Sequence, residues 1–398
     1  MSFEKGKKYL DNNRAEKAIP IFKKLLKEGA NYKEVWSNLG TAYRLAGNDD
    51  KARECLLKAA DPHIPFTDRT YSDVYPIALN NLSLLAYTYE QDDVAEELLC
   101  QALAKDPLYY DALWNLSSVR FRKYLSGKYD NLAECFQLYE YRFRRSGGPV
   151  KFTSKRQDLV KWTGEPGVKL AILAEQGFGD QLMFGRYLSL VENRVDSLII
   201  QCNDRMKEVF APRYNTCVDP PSEYTHAIGM CSLGGIFNEI PSGEWLREKY
   251  IPKIKDGKLD IGVTWSGNPN HVNDRYRSVS PRYFRDLGNL YTLNPTEAGT
   301  AGFTALKSGS WGETISELSK LDLVITVDTS IVHLCGSLGM PCWLLLALKN
   351  NDFRWGDSSC GFENKWYPSV KVFRNYGSWD DVFARVKNEL KDLRNSLR

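Results

Sequence analysis

Three stretches of the chain combine residue types that could do chemistry. The first is Ala174-Glu175-Gln176-Gly177-Phe178-Gly179-Asp180-Gln181. Gly177 and Gly179 let the backbone turn tightly and approach a ligand closely, and they deliver Asp180 to the start of a following helix. A carboxylate there can act as general base on a hydroxyl; it can equally cap the helix, a task aspartate does well. The second is Ile325-Thr326-Val327-Asp328-Thr329-Ser330-Ile331-Val332-His333. Asp328, Thr329 and Ser330 are N-cap types in front of a helical run, Ile331–Leu338. Unpaired amides at a helix start, the positive end of its dipole and two hydroxyls make a binding place for a diphosphate. His333, one turn in, either reaches the phosphates or an acceptor, or packs as an ordinary buried histidine. The third is the polar loop from Trp265 through Ser266, Gly267 and Asn268 to Asp274-Arg275-Tyr276-Arg277-Ser278. Arginines grip phosphate oxygens bidentately and keep their charge, so Arg275 and Arg277 could stabilise a departing diphosphate. The alternative is that they are solvated loop charges paired with Asp274.

What is absent narrows the chemistry. No D-x-D occurs, so a divalent-metal clamp on a diphosphate has no candidate ligands, and protein groups would have to offset the leaving group's charge. Neither G-x-x-x-x-G-K-[ST] nor G-x-G-x-x-G occurs, which weakens a nucleotide-hydrolase or dinucleotide-oxidoreductase reading. The nine cysteines are odd in number, scattered and without a C-x-x-C, and the four histidines lack H-x-x-x-H spacing. Free thiols in a reducing compartment follow, with no metal cofactor expected. A formal charge of +3 with mixed signs argues against nucleic acid as the main partner, although a modified base stays open as an acceptor. No apolar run approaches the length of a membrane span, and Met-Ser-Phe-Glu-Lys-Gly is not a secretory signal. The cytoplasm is the expected address.

These segments must be held by a chain of 398 residues, enough for two or three domains. Residues 1–145 read as helix with an internal repeat: Gly6, Tyr9, Ala18 and Phe22 recur 34 residues later as Gly40, Tyr43, Ala52 and Leu56. A third copy carries Leu82, Ser83, Ala95, Leu99, Ala102 and Pro107, after an insertion at His63–Tyr71 expected to form a loop. A fourth, degenerate unit begins at Trp114-Asn115-Leu116. The spacing is that of a tetratricopeptide repeat, in which small residues let paired helices approach and large ones fill the gaps. Such an array either offers a concave face to a peptide or protein, or serves as a spacer and cap. The run Tyr139–Arg145 reads as an amphipathic helix end, with a nucleic-acid patch as the alternative.

Ser146-Gly147-Gly148-Pro149 ends the helical pattern. Beyond it, apolar segments at Lys169–Ala174, Ser197–Cys202, Asp260–Trp265, Leu323–Val327 and Pro341–Leu346 alternate with helix-length stretches, which predicts parallel sheets with crossover helices. Two such clusters meet at a linker, Pro252–Lys258, and predict two Rossmann-like lobes with a cleft at their strand ends. The expected division is therefore a helical array over 1–145, a first lobe with linker over 146–257, and a second lobe over 258–398 that closes on an amphipathic helix, Trp379–Leu397.

Taken in order, these motifs resemble a bacterial and phage family in which tetratricopeptide repeats precede a glycosyltransferase domain similar to the ADP-heptose:lipopolysaccharide heptosyltransferases. The markers are Leu138-Tyr139-Glu140-Tyr141-Arg142-Phe143, Trp162-Thr163-Gly164-Glu165-Pro166, Glu175–Asp180, Trp265–Pro269, Asn273–Ser278, Asp322–His333, Phe353-Arg354-Trp355 and Trp366-Tyr367-Pro368-Ser369. The resemblance implies a GT-B fold that moves sugar from a nucleotide-sugar to an acceptor hydroxyl, with inversion and without a metal. It implies Asp180 as the catalytic carboxylate and one of Arg275 or Arg277 where the heptosyltransferases carry a phosphate-binding lysine. Asp328, Thr329 and Ser330 match the diphosphate loop, and Glu313-Thr314 lies near the expected nucleotide pocket. Gln181 and Asn294 depart from the family's usual residues. The order of repeats and lobes is also distantly similar to the protein O-GlcNAc transferases, which adds a peptide to glycan or lipid-linked acceptors. The rival expectation is a non-catalytic interaction protein with a vestigial GT-B domain.

Overall fold

The computed structural model describes residues 2–65, 74–146, 155–156, 158–246, 258–269, 274–293, 303–347, 349 and 351–396. Most of the expected loop insertion, Gly147–Pro149, linker residues 252–257, His271, Asn273, Asn294 and the side chain of Arg275 lie outside the described residues. The chain divides into two compact units, Met1–Lys123 with Gln137–Pro149, and Tyr124–Phe136 with Val150–Arg398.

In the first unit, helices α1 (Phe3–Asp11), α2 (Ala15–Lys27), α3 (Lys33–Leu45), α4 (Asp49–Ala60), α5 (Val74–Thr88) and α6 (Asp92–Lys105) pair in sequence, and each pair leans on the next. The repeat is visible atom by atom. A Cβ placed on Gly6 would lie 2.6 Å from the ring of Phe22, and in the pair 34 residues on, one placed on Gly40 would lie 2.6 Å from Leu56. Ala18, Ala52 and Ala95 occupy the same fully buried place in successive pairs. In the third copy Ser83 stands where the glycine was, its hydroxyl donating to Asn80 O at 2.7 Å. Helix α7 (Tyr110–Leu125) joins through buried Arg122, which pairs with Asp92, donates to Tyr87 O at 2.7 Å and lies 3.5 Å over the Tyr87 ring. The degenerate repeat ends in α8 (Leu132–Tyr139), a short helix that belongs to the second unit up to Phe136 and runs into a 3-10 turn, Glu140–Phe143. There Arg142 is buried, paired with Glu140 and stacked on Tyr139 and Phe143, so this part of the basic-aromatic run is packing.

The second unit holds two all-parallel sheets. The first contains β1 (Val160–Lys161), β2 (Lys169–Leu173), β3 (Ser197–Gln201), β4 (Thr216–Cys217) and β5 (His226–Gly229), in the order β1-β5-β2-β3-β4. The second contains β6 (Asp260–Thr264), β7 (Asn289–Thr292), β8 (Thr304–Ala305), β9 (Leu323–Val327), β10 (Cys342–Leu346) and β11 (Val370–Arg374), in the order β11-β10-β9-β6-β7-β8. Read from β6, this is the doubly wound order 3-2-1-4-5-6. Strands β6, β9 and β10 are buried at every position, as expected where helices cover both faces of a parallel sheet. The helices of this unit are α9 (Phe178–Phe184), α10 (Leu188–Glu192), α11 (Asp204–Phe210), α12 (Leu233–Phe237), α13 (Asp274–Arg277), α14 (Trp311–Leu318), α15 (Ser330–Leu338) and α16 (Trp379–Ser396). The last buries Val382, Phe383, Val386 and Leu390 in the second sheet's core. The protein is thus an α-helical tetratricopeptide-type array followed by two Rossmann-like lobes, the GT-B layout.

Candidate active site

Strand order reverses between β2 and β5 in the first sheet, and between β6 and β9 in the second. Doubly wound sheets bind ligands at the carboxyl ends of strands at such reversals. All three chemical motifs lie there: Gly177–Asp180 after β2, Ser266–Asn268 after β6, and Asp328–Ser330 after β9. The two helices that follow, α9 and α15, pack against each other. Ser337 Oγ on α15 donates to Leu182 O at 3.2 Å, and Trp245 Nε1 reaches the same carbonyl at 2.8 Å. The two lobes therefore bring their strand ends to one place.

Gly179 shows how close that packing is. A Cβ there would lie 2.8 Å from Cδ2 of His333. His333 is buried, its Nδ1 shares a 3.0 Å hydrogen bond with the Tyr367 hydroxyl, and its ring stacks on Trp355. Burial, helped by nearby Arg354 and Arg186, holds its pKa well below the usual histidine range, so the ring is neutral at physiological pH. It offers hydrogen bonding and shape but no positive charge to a phosphate.

Asp180 stands in the first turn of α9 and does cap it, accepting from Gly177 N at 3.1 Å. Its other oxygen takes a charge-assisted hydrogen bond from Arg354, which sits in the 3-10 turn Phe353–Trp355 after β10. Burial raises the Asp180 pKa, and Arg354 and the Gly177 amide offset part of that rise while Asp352 adds to it. Gln176, three residues before Gly179 and just ahead of Gly177, has φ +61°, an uncommon conformation for a residue with a side chain and one that clusters at functional loops.

In the second lobe Thr329 is the N-cap of α15, accepting from Ile331 N at 3.3 Å, and Ser330 opens the helix. Asp328 precedes the cap. Burial, reinforced by Asp352, pushes its pKa up to about 6, against opposing pulls from the Trp355 side chain first and then Arg277 and Arg354. Arg277 does pair with Asp274, at 3.0 Å, but it is only partly exposed and also donates to Asp328 O at 2.6 Å. Asp274 in turn accepts from Gly267 N at 3.2 Å and Ser278 Oγ at 3.0 Å. A Cβ on Gly267 would run into the Arg277 guanidinium, so the glycine makes room for it. Ser266 and Asn268 belong to the same loop. Only the backbone of Arg275, within α13, is described.

Glu313 and Thr314 have local tasks. Ser310 Oγ caps α14 by accepting from Glu313 N at 3.2 Å, and Glu313 reaches back past the cap to accept from Gly309 N at 3.1 Å. Thr314 is buried, its hydroxyl donating to Ser310 O at 2.7 Å. The neighbouring Trp311 meets Phe178 of α9 edge to face, with centroids 5.8 Å apart, so this helix borders the Asp180 loop.

Arg354, which no chemical motif of the sequence contains beyond the marker Phe353-Arg354-Trp355, joins these residues through its pairing with Asp180. Among the described residues, no group of three or more His, Cys, Asp or Glu side chains is placed to hold a metal ion. All nine cysteines are free thiols. No helix among the described residues is long and apolar enough to cross a membrane.

Known proteins share parts of this organisation. A tetratricopeptide-repeat family model matches residues 9–63. Protein FlbA of Caulobacter vibrioides is 22% identical over 451 aligned residues, which take in 96% of this chain and 71% of that protein. Among solved structures, a glycosyl transferase family 9 protein from Veillonella parvula is similar over 59% of this chain and 93% of its own, at 10% identity and a TM-score of 0.36. An O-GlcNAc transferase mutant from Thermobaculum terrenum is similar over 98% and 92%, at 11% identity and a TM-score of 0.34.

Proposed function

We propose that the second unit is a metal-independent, inverting glycosyltransferase of heptosyltransferase-like type, moving a hexose or heptose from a nucleotide-sugar to an acceptor hydroxyl. Asp180 takes the hydroxyl proton as the acceptor oxygen attacks the anomeric carbon, and the bond from that carbon to the diphosphate breaks. The start of α15, with Thr329 and Ser330, receives the diphosphate, and Arg277 with Arg275 offsets its growing charge. Ser266, Gly267 and Asn268 line the same strand end, and Glu313 and Thr314 shape the helix beside the nucleotide. His333 acts as a neutral group between the two helices. The repeat array helps to bind a protein or glycan acceptor, and the reaction takes place in the cytoplasm.

The observation that carries the reading is convergence. A carboxylate and a helix start with two hydroxyls occupy the reversal points of two doubly wound sheets whose next helices pack together. The ordered motifs of the heptosyltransferase-like family add to it. The test is a thermal-shift series with ADP, UDP, GDP and their sugars, with and without EDTA, followed by intact-mass analysis of peptide, glycan and lipid-linked acceptors. A ligand at about a hundred times its Kd stabilises by roughly 2.7 kcal/mol. The expected result is a shift with one nucleotide series that survives EDTA, then a mass gain of one sugar on an acceptor. No shift with any of them would sink the reading in favour of an interaction protein whose lobes are vestigial.

A further inference from the structure

We propose that Arg354 is the positioning residue for Asp180, itself fixed by Asp352, so that the second lobe holds the first lobe's carboxylate ionised and aimed. The inference rests on the transferase reading above for what the carboxylate does, but its geometry stands apart from it.

Arg354 is anchored before it meets Asp180. Its backbone N donates to Asp352 Oδ1 at 3.0 Å and its Nη1 to Asp352 Oδ2 at 2.6 Å. Its Nε points at Met183 Sδ at 3.0 Å, and its carbonyl accepts from Asn364 Nδ2 at 3.0 Å. The side chain is 10% exposed and that of Asp180 18%, so the pair has little water to compete with it. With the planar guanidinium held at one edge by Asp352, Nη2 is left directed at Asp180. The Gly177 amide holds the second carboxylate oxygen. One oxygen is thereby held by the N-cap of α9 itself and the other by Arg354 from outside that helix, and two fixed partners are what holding a base within a reacting geometry requires.

The charge balance points the same way. Arg354 and Asp352 face Asp180 from the segment after β10. From α15 comes neutral His333, packed on Gly179, with Arg186 acting on it from beyond, and at the end of β9 lies Asp328, itself under the influence of Asp352, Arg277 and Arg354. Arg354 is the cation common to Asp180, Asp352 and Asp328. Without it, burial and Asp352 would be opposed only by backbone hydrogen bonds such as that from the Gly177 amide, and the base would carry a proton over a wider pH range.

The experiment uses the full chain as wild type, Arg354→Gln, Arg354→Lys, Asp180→Asn and the double variant Arg354→Gln/Asp180→Asn. The first readout is the pH profile of kcat/KM, with the ADP-, UDP- or GDP-sugar that the wild type turns over. Arg354→Gln is expected to lower kcat on the order of tenfold to a hundredfold, to leave the donor KM within about threefold, and to move the acid limb up by about one pH unit. Arg354→Lys restores the acid limb and only part of kcat. An acid limb that stays put, with kcat falling only as Tm falls, overturns the proposal, as does full activity in Arg354→Gln. The second readout needs no turnover: a double-mutant cycle of thermal stability between Arg354→Gln and Asp180→Asn. Non-additivity at pH 7.5 that disappears at pH 4 supports the charged pair; additivity at both pH values overturns it. A wild type that turns over no donor removes the transferase reading, and the cycle still decides the Arg354–Asp180 link.

Discussion

Strands β2 and β9 each run buried into a short loop and a helix, and each loop supplies an aspartate, yet the two carboxylates have different surroundings. Asp180 lies inside the first turn of α9, and both its oxygens are taken, one by the Gly177 amide and one by Arg354. Asp328 stands before the cap of α15, where Thr329 has assumed the capping task and Arg277 engages the Asp328 carbonyl. Its carboxylate feels the arginines only through space, and burial pushes its pKa to about 6. One strand end is built around a directed anion. The other is built around donors, with an acid that can shed its charge when a second anion arrives. Under the proposed function, the same strand–loop–helix device would serve as a base in one lobe and an anion receptor in the other, according to where the aspartate falls relative to the helix start.

The largest expected effect tests the first half of that contrast. Asp180→Asn keeps the shape and removes the base. Transfer is expected to fall by at least about a hundredfold, while donor-induced thermal stabilisation remains close to wild type, since the donor is assigned to the other strand end. Wild-type turnover in this variant would leave Asp180 as a helix cap and nothing more.

Next in size is the packing between the two helices. Gly179→Ala places a methyl 2.8 Å from the His333 ring, and overpacking of this kind costs about 1–3 kcal/mol. Gly177→Ala meets only Asp180 Oδ2 at an ordinary 3.4 Å, and its φ of −78° suits any residue. Urea unfolding should show the first variant destabilised, the second near wild type, and His333→Ala restoring part of the loss in the first. Equal losses at the two glycines would mean that the contact of α9 with α15 is looser than described.

How much of this was legible in the sequence depended on how local each signal was. The Gly6–Phe22 and Gly40–Leu56 pairs repeat the same small-against-large contact at a fixed spacing, so periodicity exposed them. Strands β2, β3, β6, β9 and β10 were readable as apolar runs because both faces of a parallel sheet are covered. The two-residue strands β1, β4 and β8 are too short for any period, and β11 carries an exposed Lys371 and a buried Arg374 that break its apolar pattern. In the site, Asp180 and Asp328–Ser330 were legible because glycines or cap residues next to a strand mark a loop. Arg354 was not: its partner lies 174 residues away in the chain, and no local pattern records that approach. Glu313 and Thr314 enter through the resemblance, as neighbours of the expected nucleotide pocket, whereas their observed bonds are local ones to Gly309 and Ser310 at the start of α14.

The charge difference between the strand ends predicts a pH effect. A carboxyl whose folded pKa lies above its unfolded value binds more protons in the folded state over that interval. Asp328 therefore makes stability fall as pH rises from about 4 to about 6, by roughly 2 kcal/mol. Asp328→Asn should flatten that part of the stability profile, measured by urea unfolding across pH 4–8. The same residue should make nucleoside diphosphate binding tighten as pH falls through about 6, because a neutral Asp328 does not repel the ligand. If binding shows the same pH dependence in wild type and Asp328→Asn, the acid does not face the diphosphate.

The smallest effect discriminates most finely. In α15 the hydroxyl of Thr329 accepts from Ile331 N at 3.3 Å, a long bond from a donor that a phosphate oxygen would also seek. Thr329→Ala should cost about 1 kcal/mol in the free protein. With saturating ADP, UDP or GDP the gap between wild type and variant must change if the helix start is the receptor. It narrows where a phosphate oxygen takes over the orphaned amide, and widens where the hydroxyl itself donates to the phosphate. No such change is expected for a cap lost at the start of α4 in the repeat array, for which Asn48→Ala is the matched control, since Asn48 Oδ1 accepts from Lys51 N there as Thr329 does from Ile331 N. A Thr329→Ala gap that stays constant with nucleotide bound would detach the start of α15 from the donor and leave the second strand end without the function that distinguishes it from the first.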